Sequence, residues 1–183
     1  MNIVGHFRTI TKHRHLVIKH CFKAGIGLQG LKHDLSKYSP EEFFISCKYY
    51  TGKHSPIADE RRDRGYSTVW MHHKGRNKHH YEYWVDMNLE TKLYEPVPMP
   101  DRYVKEMICD RIAASKVYLG SDYDYTYPLK YYHNKEHGKM QIHPETQRKL
   151  VFVLKYLNEH GEEETFKYLR THEVLDMCEA DEL

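Results

Sequence analysis

A single all-α domain is predicted for this 183-residue chain by three observations. Apolar residues recur at three- and four-residue spacing, helix start and stop residues punctuate those runs, and no long alternating run of period two appears. No internal repeat or low-complexity linker divides the sequence, so residues 1–178 are expected to form one unit with an acidic tail over 179–183. Thr9 to Ala24 carries Ile10, Val17, Cys21 and Ala24 on one helical stripe, and Gly25 supplies the stop. "GLQGLKHDLSKY" reads as a short second helix. "SPEEFFISCKYY" opens with Ser39 as N-cap, Pro40 in the first turn and Glu42 three residues after the cap, a capping-box pattern. Further helices are expected from Tyr66 to His73 and from Lys78 to Met87, ahead of the proline-rich "YEPVPMP". Asp101 opens the longest clean helix, with Val104, Met107, Ile108, Ile112 and Val117 as its buried stripe and Gly120 as its stop. Two amphipathic helices, Pro144 to Glu159 and Glu162 to Cys178, end the chain.

Composition removes several function classes. With 28 basic against 26 acidic side chains the net charge is +2, so no global field calls for nucleic acid, and no RNA-binding motif is present. No apolar run approaches the ~18 residues needed to span a membrane, and the N-terminus lacks a secretory apolar core, so a soluble cytoplasmic protein is expected. Cys21, Cys47, Cys109 and Cys178 are widely spaced and form no Cys-x-x-Cys pair, which argues for reduced thiols packed in a core.

Histidine is the unusual residue. There are 15, and "WMHHKGRNKHHYEYW" over residues 70–84 holds four of them in two adjacent pairs. Helical projection puts Tyr66, Val69, Trp70 and His73 on one face and Asn77, His80, Tyr81 and Trp84 on another, which favours His73 and His80 over His72 and His79 as inward-pointing ligands. In "LQGLKHDLSK" an adjacent His33–Asp34 pair can offer an imidazole nitrogen and a carboxylate oxygen to one cation, a donor set suited to Mn, Fe, Co, Ni, Zn or Mg. Asp110 lies mid-helix against an apolar stripe, where a capping role is unavailable. On the first helix, His13 and His20 flank the buried stripe and His15 points away.

The ordered set of a histidine, a His-Asp pair, further histidines and a distant Asp resembles the HD superfamily of metal-dependent phosphohydrolases, whose "LLHDIGK" is similar to "LKHDLSK" here, with Ser36 in place of the glycine. The resemblance implies an HD-like helical bundle and one or two divalent transition ions. They would be held by His13, His33, Asp34, His73, His80 and Asp110, with His20, His72 and His79 as second choices or outer donors. It assigns catalysis to Asp34, as the bridge between ions, and to Lys37. Lys37, Lys74, Arg76, Asn77 and Arg111 would bind a small phosphorylated substrate such as a nucleotide. The strings "HDLSKYSPEEF", "GYSTVWMHHKGRNKHHYEYW" and "CDRIAASKVYLG" are also similar to a bacterial family of short single-domain proteins of uncharacterised function. Two other classes stay open: an HD-type di-iron oxygenase using the same ligands, and a non-catalytic protein that binds a metal, a nucleotide or nucleic acid through "RRDRG" and "HHKGRNKHH".

Overall fold

The computed structural model describes residues 1–136 and 141–173, and among these it is mostly helical, with eight helices and one two-stranded hairpin. Three helices make the core. One face of α1 (Ile3–Lys23) presents Val17 and Cys21 to α6 (Asp101–Leu119), which answers with Val104, Ile108, Cys109 and Ile112. Against α6 packs α8 (Pro144–Thr171), with Leu150, Val153, Leu154, Leu157, Phe166 and Leu169 buried. These side chains are at most 1% exposed, so each contributes close to its full transfer free energy, about 1.5–3 kcal/mol. Cys21, Cys47 and Cys109 are buried free thiols, as expected from their spacing; Cys178 and the acidic tail lie outside the described residues.

Shorter elements surround this core. The expected second helix is three pieces: α2 (Gly27–Gly30), a turn through His33 and Asp34, and a 3₁₀ turn (Leu35–Tyr38). Asp34 breaks the helix because its backbone is left-handed, at φ 53° and ψ 26°. Gly30 lets α2 lie directly on α1, since a Cβ there would sit 2.4 Å from Cys21 Cβ. Next, α3 (Pro40–Tyr49) begins as expected at Ser39 and Pro40, but no capping box forms: the Ser39 side chain makes no cap bond, and Glu42 turns into the interior.

The sequence pattern did not disclose α4 (Pro56–Arg64), "PIADERRDR", because it has no apolar stripe; Ser55, Pro56 and Gly65 bound it instead. It is followed by α5 (Thr68–Lys74), whose N-cap Ser67 accepts from the Trp70 amide. The expected helix from Lys78 to Met87 is absent. The chain turns at Asn77–His80, makes one 3₁₀ turn (Tyr81–Tyr83) and enters β1 (Val85–Met87), which pairs antiparallel with β2 (Tyr94–Pro96) in the register Val85↔Pro96 and Met87↔Tyr94. Strands of three residues are too short to leave a period-two signal. Past α6, α7 (Tyr127–Tyr131) also escaped the pattern.

The last two expected helices form one element, α8, bent at Gly161, where φ 74° and ψ 179° is a conformation essentially restricted to glycine. The end of the second one, towards Cys178, lies outside the described residues. Gly161→Ala is expected to cost about 1–3 kcal/mol of stability, read as a lower midpoint in urea unfolding followed by circular dichroism.

A candidate metal centre

Five elements carry side chains to one buried point. His13 comes from the middle of α1, His33 and Asp34 from the turn after α2, His73 from the last turn of α5, His79 and His80 from the turn that follows, and Asp110 from the middle of α6. Asp34 lies at the centre, 1% exposed, and its two oxygens face different partners. Oδ2 is 3.2 Å from His33 Nε2 and 3.7 Å from His13 Nε2, while Oδ1 is 3.3 Å from His73 Nε2 and 3.5 Å from His79 Nε2. Asp110 Oδ1 closes the first group at 2.9 Å from His13 Nε2. Two nests result: His13, His33, Asp34 and Asp110, and Asp34, His73, His79 and His80, with the candidate ligand atoms of each within 4.8 Å of one another.

The outer faces of the rings are fixed by carboxylates. Glu106, one helical turn before Asp110 on α6, accepts from His33 Nδ1 at 2.9 Å and stands 3.3 Å from His79 Nδ1; the Gln29 amide donates to its other oxygen at 2.5 Å. Glu42 on α3 accepts from His73 Nδ1 at 2.8 Å and His72 Nδ1 at 2.7 Å. In a neutral ring whose Nδ1 donates outward, Nε2 is a bare lone pair aimed inward, the arrangement that orients imidazoles around a cation. The buried atoms fit that reading. Nε2 of His13, His33, His79 and His80 and both oxygens of Asp34 lack an aligned hydrogen bond, although charged groups stand near them. Six buried ligand-type atoms converging with no aligned hydrogen bond are costly in a protein interior, and a metal ion could satisfy them. These His/Asp groupings could hold a metal, and the mixed nitrogen–oxygen donor set suits a first-row transition ion.

Among the sequence candidates, the structure brings together His13, His33, Asp34, His73, His80 and Asp110, and it adds His79 on equal terms. The helical projection that ranked His79 below His80 fails because the chain leaves the helix at Gly75, and the following turn aims both rings inward. His20 is elsewhere, two turns further along α1: its Nδ1 is 3.2 Å from the Cys109 carbonyl and its ring stacks on Phe166. Burial lowers its pKa to about 4. His72 reaches Glu42 and joins neither nest. Asn77 is buried, donating to Ser36 Oγ and the His73 carbonyl at 2.8 Å each, which ties the turn down. Lys37 stands 2.6 Å from Asp34 Oδ2.

Glu42, Glu106 and Gln29 were missed. The Glu106–Asp110 spacing of four residues was a readable signal for one shared helix face, whereas Glu42 was masked by its capping-box position.

Beside the centre opens a cavity of about 650 Å³ whose lining includes His80, Asp110, Arg111, Glu82, Lys53 and Arg62. Of the residues expected to bind substrate, Arg111 lines it. Lys74 and Arg76 are not among its lining residues, although Lys74 stands close enough to act on the charge of Glu82, which is.

A family model described as a family of unknown function (DUF5662) matches residues 2–156. The chain belongs to this family. All the metal-centre residues of this DUF5662 chain fall inside the matched segment. No curated protein and no solved structure matches the chain.

Charge in the ion-free centre is tightly coupled. Burial alone would raise Asp34, but His33, Lys37 and His73 hold its carboxyl well below the usual range. Asp110 is likewise held well below that range, by His13 and His33 against its burial. Burial would lower His33, yet Asp34, Asp110 and Glu106 outweigh it and keep the imidazole well above its ordinary value. His80 lies well below, through burial and the nearby His79 and His73. Glu106, despite its burial, is brought to about 2 by His33 and His79.

Three outcomes follow from this arrangement. His33 holds a proton at neutral pH that a metal must displace, so cobalt affinity is expected to rise from pH 6 to pH 8, measured by titration of the Co(II) absorption bands. For the metal-free protein the depressed Glu106 contributes stability above the ordinary carboxylate range, and thermal melts should show it lost as pH falls from about 4.5 towards 2. Glu106→Gln keeps the shape but weakens the acceptor for two imidazoles, and calorimetry should show metal affinity lower by about 10–100-fold.

Proposed function

We propose that this protein is a metal-dependent phosphohydrolase of HD type acting on a small phosphate ester, with nucleotides in that class. The observation that carries the proposal is the single buried carboxylate, Asp34, turning one oxygen to each of two histidine nests beside a cationic cavity. His13, His33, Asp34 and Asp110 would hold one divalent transition ion, and Asp34, His73, His79 and His80 a second. Such a pair lowers the pKa of a water and offsets charge on the phosphoryl oxygens.

The protein's own groups do the positioning. Glu106 and Glu42 keep His33, His79 and His73 in the tautomer that points Nε2 inward. Lys37 neutralises Asp34 and fixes its carboxylate plane from the Oδ2 side. Arg111, next to Asp110 on α6 and lining the cavity, presents a guanidinium to phosphate oxygens entering from that side.

The test pairs metal analysis with phosphate release from a panel of nucleotides and p-nitrophenyl phosphate. Wild type purified without a histidine tag should hold about two equivalents of transition metal. Asp34→Ala should lose the metal and at least about 100-fold in turnover while keeping its helical circular dichroism. Lys37→Ala should retain the metal and lose roughly tenfold in kcat/KM. Iron in the centre with oxygen uptake and no phosphate release would reassign it as a di-iron oxygenase, and failure to bind manganese, cobalt, nickel or iron would end the enzyme reading.

A further inference from the structure

The cavity extends well beyond the atoms that could hold metal. Its α6 wall runs from Met107 to Leu119, and the eight steps from Asp110 to Tyr118 cover about 12 Å at 1.5 Å per residue. His80 and Arg111 stand at the Asp110 end. At the other, Ser55 and Tyr118 line the wall together, with Lys53 and His54 from the chain before α4 and Arg62 from α4 itself. The Arg62 guanidinium is gathered to that end, 3.0 Å from His54 Nε2 and 2.6 Å from Asp59 Oδ1. One carboxylate, Asp59, thus pairs with Arg62, and Lys53 adds a second permanent cation to that end. The lining also holds uncharged aromatic surface, including Tyr127 and Tyr131 with ring centroids 6.1 Å apart.

With ions in the nests offsetting Asp110 and Glu82 beside Arg111 at one end, and Lys53 and Arg62 at the other, the cavity suits a ligand with an anion at each end. Resting on the phosphohydrolase reading, we infer that the substrate is a phosphate ester bearing a second anionic group, with its scissile phosphate at Asp110 and Arg111. The second anion is held by Lys53 and Arg62, about 10–12 Å away. A simple monophosphate fills one end and leaves the other to water. Arg62 is 68% exposed, so the distal contact is screened by salt and serves selection more than tight binding.

The test is calorimetry on manganese-loaded protein with non-hydrolysable probes: butylphosphonate against alkane-α,ω-bisphosphonates from propane-1,3 to octane-1,8. The expected result is an optimum at intermediate chain length, with affinity roughly tenfold above butylphosphonate and falling with added salt. Lys53→Ala and Arg62→Ala, each made singly, should remove that advantage and leave butylphosphonate binding unchanged; Lys53 lies on an exposed loop, so its variant tests the idea without touching the Asp59 pair. Equal affinity for butylphosphonate and every bisphosphonate overturns the second-anion site while sparing the hydrolase reading. If manganese binds and no phosphonate does, the hydrolase reading falls and takes this inference with it.

Discussion

Asp34 is the point at which the two halves of the centre meet, one carboxylate oxygen for each histidine nest. A carboxylate withdrawn from water costs several kcal/mol unless charges and hydrogen bonds replace its hydration. Here the replacement is Lys37 at 2.6 Å with four imidazoles around it, and the backbone contributes as well. The left-handed conformation of Asp34 ends the helical run after α2 and starts the 3₁₀ turn that returns Lys37 to the same carboxylate. Asp tolerates that conformation better than most residues, though at a cost of order 1 kcal/mol that the surrounding contacts must offset. Gly30 belongs to the same constraint. Its missing Cβ allows α2 to rest on Cys21, and that contact sets how far His33 and Asp34 stand from His13.

Around this carboxylate the structure repeats one device. Glu106 gathers the outer nitrogens of His33 and His79, and Glu42 gathers those of His72 and His73. Each acidic group lies on a helix packed against the centre, so ring orientation is inherited from α6 and α3 and not from the turns that carry the histidines. Gln29 holds Glu106 in turn, with its amide also donating to the Arg102 carbonyl at 3.1 Å. The histidine nitrogens left facing inward are therefore fixed before any ion arrives, which lowers the reorganisation that binding must overcome.

How much of this was legible follows from where periodicity operates. The stripes of α1 and α6 were readable because Val17, Cys21, Ile108 and Ile112 are buried at helical spacing, and the same projection set His13 beside the stripe and Asp110 within the interior. Between those helices periodicity misled. From Gly75 to Trp84 the chain folds through a turn stabilised by Asn77 and by Trp84 Nε1 donating to the Lys78 carbonyl at 2.8 Å. A helical wheel therefore placed His79 on the wrong side. Glu42 shows a second limit: a carboxylate three residues past a serine satisfies the local capping pattern, while the contact that wins, with two histidines about 30 residues away, has no local signature. The hairpin and α4 were invisible for a third reason, since neither buries an apolar face of its own.

The two nests consequently rest on different foundations. His13 and Asp110 stand on α1 and α6, whose shared surface is the hydrophobic core, so these two members of the first nest are as rigid as the fold. His73, His79 and His80 sit on a seven-residue helix and a turn, which carry little core of their own. Polar anchors do that work: buried Glu60 accepts from the Ser67 and Thr68 hydroxyls and from the Thr68 and Val69 amides, fixing the start of α5, and Asn77 fixes the turn beyond its end. A buried carboxylate with four donors and a buried amide are expensive to desolvate and directional once satisfied. Apolar packing could have held the segment in place but not its rotation, and rotation is what decides whether the imidazoles of His73 and His79 meet Asp34 Oδ1 or turn past it.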